Sequence, residues 1–356
     1  MENNKIKIVC SARMGHGTFE AKFKPLVLLS KVEKIVVVRK DAGPPIDKLS
    51  YRILPKLCKN PVLNFIFTPF ILLKEVRKQK ADLILAYHFQ PHFYFAYIVS
   101  LFTGIPYIVA QTGTDAQNNA DRPIIGKILK HILKKAKYFN VPGKDTYNFW
   151  ISRGIPQEKL NILHSTINVN LFKPNNVTKE YDIIFVGRLA EVKRLDKLIK
   201  ATKEIVQKIP NVKICIVGSG PLEITLKTQV KEYNLTSNFD FVGLQSNIYE
   251  WLNKAEIFVM TSDSEGLPCA MMEAMSCGLL CLGPDVNNMA DLLVEGETGY
   301  LFQTNDIEEL SNKLIYLLEN KHCLDEIRSN ARNLIINEHS YEYAKNLWSN
   351  ALDQNE

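Results

Sequence analysis

Several familiar patterns are missing from this chain of 356 residues. Its seven cysteines form no Cys-x-x-Cys pair, which excludes the usual zinc-ribbon and thioredoxin-type spacings. They are odd in number and mostly set among apolar residues, so they read as reduced core residues of a cytosolic protein. Neither an Asp-x-Asp nor a His/Cys ligand set occurs, so no metal or other cofactor is expected. No apolar run is a good membrane span. The most apolar stretch, residues 93–110, is interrupted by Thr103-Gly104-Ile105-Pro106 and predicts a helix, a turn and a strand. The amino terminus, Met1-Glu2-Asn3-Asn4-Lys5, lacks a signal-peptide core, which predicts a cytoplasmic location. Gly218-Ser219-Gly220-Pro221-Leu222-Glu223 lacks the third glycine of the dinucleotide fingerprint, which argues against an oxidoreductase.

What is present is the composition of a globular protein, with 46% hydrophobic and 23% charged residues. The net charge of +6 hides an asymmetry. Residues 1–176 carry 27 Lys+Arg against 11 Asp+Glu, whereas residues 177–356 carry 17 against 27. A basic first half points to an anionic partner such as a phospholipid surface or a lipid-diphosphate acceptor. A dispersed, solvated lysine surface is the other reading. No nucleic-acid recognition motif accompanies the charge, so nucleic acid is not an expected partner. The run from Pro61 to Leu73 is apolar and flanked by Lys56, Lys59, Lys74, Arg77, Lys78 and Lys80. It fits an interfacial helix on the cytoplasmic face of a membrane, or a buried helix with a solvated basic end.

Short apolar strands alternate with amphipathic helices throughout, which predicts parallel sheets covered by helices. The expected strands are 5–10, 34–38, 82–86, 107–110 and 138–141 in the first half. In the second they are 181–186, 212–217, 239–242, 257–260 and 279–282. The polar, proline-containing stretch Asn170–Asn176 reads as a linker, giving domains 1–176 and 177–340. A last helix within 341–356 has one apolar face, expected to pack back toward the first domain. Two doubly wound domains of this kind face a cleft lined by carboxyl ends of strands, which suits a two-part substrate.

Two glutamates eight positions apart, Glu265 and Glu273, bracket a strand-to-helix corner that contains Gly266, Leu267 and Pro268. Proline is suited to a helix start. Two carboxylates at such a corner can accept hydrogen bonds from several hydroxyls, as a sugar and a ribose offer. After the strand 181–186 comes Gly187, then Arg188 and Lys193, two cations beside a helix N-terminus that make an anion site. His88 and His92 stand at another strand end and read as loop histidines or acceptor contacts, whereas Met271, Met272 and Met275 read as core.

Gly187-Arg188-Leu189 with Lys193, followed by Glu265-Gly266-Leu267-Pro268 and Glu273, resembles the GT-B glycosyltransferases of family 4. Gly218-Ser219-Gly220-Pro221, Phe241-Val242-Gly243, Glu297-Thr298-Gly299-Tyr300-Leu301 and the linker Phe172-Lys173-Pro174 extend the likeness to nearly the whole chain. The resemblance implies two Rossmann-like domains facing a cleft, and retaining transfer of a sugar from a nucleotide-diphosphate-sugar donor to a hydroxyl acceptor. Acceptors in cell-envelope polysaccharide or glycolipid assembly, lipid-linked ones included, suit the basic half. It further implies that Arg188 and Lys193 hold the diphosphate, Glu273 the ribose, and Glu265 the donor sugar beside Gly266, Leu267 and Pro268. The same resemblance implies that Leu244 packs on the base, that Gly15, His16 and Gly17 form a glycine loop near the phosphates, and that the Gly218 turn belongs to the donor site. Several positions depart from the pattern: Thr112 replaces a histidine, the stretch Val286–Asp291 with Asn287-Asn288 replaces a Gly-Gly and a glutamate, and Arg194 replaces the glycine after the phosphate lysine. An epimerase or phosphorylase of the same fold, or a noncatalytic nucleotide-sugar-binding partner, are the rival readings.

Overall fold

The structure, a computed structural model, describes residues 5–14, 16–87, 90–111, 115–265 and 268–353, without the side chains of 16–18, 115, 287 and 288. The chain divides into two compact units. One comprises Met1–Thr166 with Tyr341–Glu356, and the other Ile167–Ser340. The division falls before the linker rather than after Asn176, where the sequence reading had set it. The linker residues belong to the second unit because they are tied to it. Asn253 accepts from the Asn175 N–H at 2.8 Å, and Ile167 donates to the His339 carbonyl at 2.9 Å.

The first unit is built on seven parallel strands: β1 (Ile6–Ala12), β2 (Val32–Arg39), β3 (Leu49–Ile53), β4 (Leu83–Tyr87), β5 (Tyr107–Ala110), β6 (Tyr138–Val141) and β7 (Leu160–Ile162). Their order is β3-β2-β1-β4-β5-β6-β7. Alternation along the strands fills both faces, as parallel sheets require. Val9 and Val36 join one buried cluster, while Ile8, Cys10 and Val37 join the other. β3 and β7 were not foreseen from sequence. β3 is a half-exposed edge strand, and β7 is three residues long. Helix Tyr341–Asp353 packs on this unit, where Ala344, Trp348 and Leu352 are buried with Phe19 and Phe23.

The second unit has six parallel strands: β8 (Tyr181–Val186), β9 (Ile214–Val217), β10 (Phe239–Gly243), β11 (Ala255–Val259), β12 (Leu280–Pro284) and β13 (Tyr300–Phe302). Their order is β10-β9-β8-β11-β12-β13, with the change of direction between β8 and β11. Ile183, Phe185, Ile257 and Val259 face one layer of helices, and Ile184, Phe258 and Met260 the other. Five of the seven cysteines are buried and all are free thiols.

Candidate active site

The carboxyl ends of β8, β9 and β10 are bound into one surface by their glycine turns. Gly187 donates to the Val217 carbonyl at 3.0 Å, Leu189 to Ser219 at 3.0 Å, and Gly218 to Gly243 at 2.8 Å. Gly218 has φ +140°, and a Cβ there would stand 1.9 Å from the Gly187 carbonyl oxygen. A Cβ at Gly220 would stand 2.3 Å from the Leu189 carbonyl oxygen. Only glycine lets these turns close. The hollow they form, about 540 Å³, is lined by Gly187, Arg188, Gly218, Ser219, Leu244 and Ile248, among others. Arg188 is exposed at its wall, and Leu244 is 78% exposed. An exposed leucine beside a polar turn is available to pack on a flat apolar surface.

Lys193 ends the 3-10 helix Glu191–Lys193 and forms an ion pair with Glu265, which lies on the loop after β11. Its Cε lies 4.0 Å from where a Cβ on Gly187 would be, so its stem runs beside the first turn. Both partners are largely shielded, the side chains keeping 24% and 10% of their exposure. Shielding from water strengthens such a pair.

A second set of charges fixes the two loops that carry them. Asp263 accepts from Lys197 at 2.6 Å and from Arg194 at 3.0 Å, and Arg194 also reaches Asp196 at 2.9 Å. The Asp263 N–H donates to the Val192 carbonyl at 3.0 Å, and the Thr261 hydroxyl to the Lys193 carbonyl at 3.0 Å. Burial alone would raise the Asp263 carboxyl, but its bonds from Lys197 and Arg194 hold it below the usual range. Arg194 itself has φ +47°, the left-handed conformation that favours glycine. The glycine that the resemblance leads one to expect at this position would adopt that conformation without strain. Here the arginine occupies it with its guanidinium anchored at both ends.

Pro268 immediately precedes helix Cys269–Ser276, whose Met271, Met272 and Met275 are wholly buried as core. Glu273, on the same helix, is mostly buried, and its carboxyl makes no hydrogen bond or ion pair with the described residues. Burial pushes its carboxyl up to about 7. The structure thus brings Lys193 to Glu265, and Arg188 to Gly218 and Leu244, while the Glu273 carboxyl shares no hydrogen bond or ion pair with either set. Gly15, Gly266, Leu267, Thr112 and His88 lie outside the described residues, as do the side-chain positions of His16, Gly17, Asn287 and Asn288. His92 is buried and shares a 2.7 Å hydrogen bond with Ser11, the state of an ordinary satisfied histidine. Sequence reasoning missed Asp263, Asp196 and Lys197. Their signal was the arginine at 194, which needs a reason to sit where a glycine is easier.

Residues 167–334 match the family described as Glycosyl transferases group 1. The matched region belongs to that family. As a fold the whole chain is GT-B. The structure of Anabaena Alr3699/HepE in complex with UDP superposes with a TM-score of 0.80 at 16% identity, over 98% of this chain and 100% of that one. Among curated relatives, this chain is 23% identical to N-acetyl-alpha-D-glucosaminyl L-malate synthase of Bacillus anthracis, over 72% of this chain and 70% of that protein. It is 25% identical to UDP-Gal:alpha-D-GlcNAc-diphosphoundecaprenol alpha-1,3-galactosyltransferase of Escherichia coli, over 85% of this chain and 84% of that protein. No described group of His, Cys, Asp and Glu could hold a metal ion. No described helix is long and apolar enough to cross a membrane.

Proposed function

We propose that this chain is a retaining family 4 enzyme that transfers a hexose-type sugar from a nucleotide-diphosphate-sugar to a hydroxyl acceptor in cell-envelope polysaccharide or glycolipid assembly. The observation that carries the reading is the shielded Lys193–Glu265 ion pair, set beside the Gly187-Arg188 and Gly218 turns. Departure of a nucleoside diphosphate builds negative charge on phosphate. Fixed cations in a water-poor site stabilise that charge at little reorganisation cost. Lys193 and Arg188 supply those cations. Glu265 receives the donor sugar's hydroxyls and, by its ion pair, holds Lys193 in place. Glu273 takes the ribose hydroxyls and Leu244 packs on the base. The leaving phosphate itself takes the acceptor proton, so no histidine is assigned as general base, and no metal is assigned.

Support for UDP as the nucleotide comes from the E. coli relative, named for UDP-Gal, and from the Anabaena structure, which is a complex with UDP. The E. coli name also supports a lipid-diphosphate-linked acceptor. The test is transfer from UDP-, GDP- and ADP-sugars by wild type, Arg188→Ala and Glu265→Ala, with thermal stabilisation by each nucleotide. Each substitution is expected to lower turnover by on the order of 100-fold or more while the variant stays folded at the assay temperature, as its melting curve checks. Full activity in both variants would remove the site assignment. A free epimerised sugar, or dependence on phosphate, in place of a new glycoside would point to the rival enzyme classes.

A further inference from the structure

The first unit carries an apolar surface that its own fold does not cover. Helix Pro61–Gln79 begins at Asn60, whose side chain accepts from the Val62 and Leu63 N–H groups, and it buries Thr68, Leu72, Glu75 and Val76 against the sheet. Burial of Glu75 is made tolerable by Arg52 at 3.4 Å and Gln79 at 3.2 Å. The opposite face is reached by stepping four residues at a time through Val62, Ile66, Phe70, Lys74 and Lys78, all exposed. Val62 and Phe70 are each 66% exposed, far more than a core helix leaves open. Leu57, Phe65 and Phe67 extend the apolar half. Arg77 joins the basic half, and Lys56 and Lys59 stand exposed before the helix begins. An apolar patch is therefore bordered by cations at both ends.

We propose that this face docks on an anionic phospholipid surface, with Val62, Ile66, Phe67 and Phe70 in the interfacial layer and the lysines on the headgroups. Charge complementarity selects this occupant. A second copy of the chain would bring the same lysines together, whereas an anionic bilayer satisfies them and the apolar patch at once. The helix leads at its carboxyl end into β4, so its apolar half lies toward the carboxyl ends of that sheet's strands. There the Phe65 ring sits 5.6 Å from that of Phe95, in the helix that follows β4. Ligands of such sheets bind at that edge. Docking this face down presents the edge to a hydroxyl anchored in the membrane. This functional link, unlike the docking itself, rests on the proposed transfer to a lipid-linked acceptor.

The full chain should co-sediment with phosphatidylcholine vesicles containing phosphatidylglycerol, in a salt-sensitive manner, and not with phosphatidylcholine alone. Ile66→Glu/Phe70→Glu and Lys74→Glu/Arg77→Glu/Lys78→Glu should each weaken that binding by about tenfold or more. Phe70→Trp should show a blue-shifted emission when anionic vesicles are added, a readout that does not depend on the charged variants folding. Thermal stabilisation by UDP should persist in every variant. Its loss in wild type would count against the donor reading and leave the docking standing. Absent vesicle binding, binding equal in all variants, or an unshifted Phe70→Trp emission would overturn the docking. So would a dimer in light scattering that Ile66→Glu/Phe70→Glu dissolves without any vesicle binding, which would assign the face to a second copy.

Discussion

Glu273 lies in apolar surroundings that push its carboxyl up to about 7 from a usual 4.5. A carboxyl whose folded pKa lies above its unfolded one binds more protons folded than unfolded between those values. Its contribution to stability is greatest below the lower value and is lost as pH rises through the upper one. Wild type should therefore lose on the order of 2–3 kcal/mol relative to Glu273→Gln between pH 4.5 and above pH 7. Paired denaturant melts across that range check this. A constant difference would mean that the carboxyl is not desolvated in the folded state. Gly218→Ala places a methyl group 1.9 Å from the Gly187 carbonyl oxygen. It should cost roughly 2–4 kcal/mol of stability and abolish stabilisation by UDP, both visible in one thermal-shift series. These residues were legible in sequence because each is a chemical type at a fixed place after a strand. What could not be read was the pairing of Lys193 with Glu265, separated by 72 positions. A single sequence records spacing along the chain and not proximity across it.

At the scale of elements, two loops are held by the cluster of Arg194, Asp196, Lys197 and Asp263. Arg194→Ala keeps the left-handed backbone and loses the bonds that compensate it, whereas Arg194→Gly loses the bonds and the strain together. Alanine should cost about 1–2 kcal/mol more than glycine, read as the difference between two denaturation midpoints. Asp263→Ala leaves the buried Lys197 ammonium without its carboxylate. It should destabilise by roughly 3 kcal/mol or more and lower turnover by loosening the Lys193 loop. Unchanged turnover at unchanged stability would show that the cluster is incidental. Most strands were legible as apolar runs between turn residues. β3, β7 and β13 were not, because an edge strand keeps polar, half-exposed positions and three residues are too few to show a period. The helix Pro61–Gln79 was legible as an apolar run with basic flanks, but the exposure of its apolar face depends on which side the sheet takes.

At the scale of the molecule, the first unit is discontinuous in sequence, since helix Tyr341–Asp353 belongs to it. The helix is bound there by Ala344, Trp348 and Leu352, and by Lys31, which reaches Asp353 at 2.6 Å. Removing residues 341–356 should lower the melting transition of the first unit and spare that of the second, as scanning calorimetry resolves. Burial of the tryptophan and leucine alone corresponds to about 4 kcal/mol or more. A single transition shifted as a whole would show instead that the two units melt together. The unit boundary was only coarsely legible, because a polar linker looks the same whichever side it is tied to. Discontinuity also orders events on the ribosome. The 174 residues of Ile167–Ser340 must be synthesised between the two parts of the first unit, roughly ten to thirty seconds at ordinary elongation rates. During that interval the groove meant for Trp348, walled by Phe19 and Phe23, stays open to solvent and to chaperones. The second unit can complete its fold first, although it comes later in the chain.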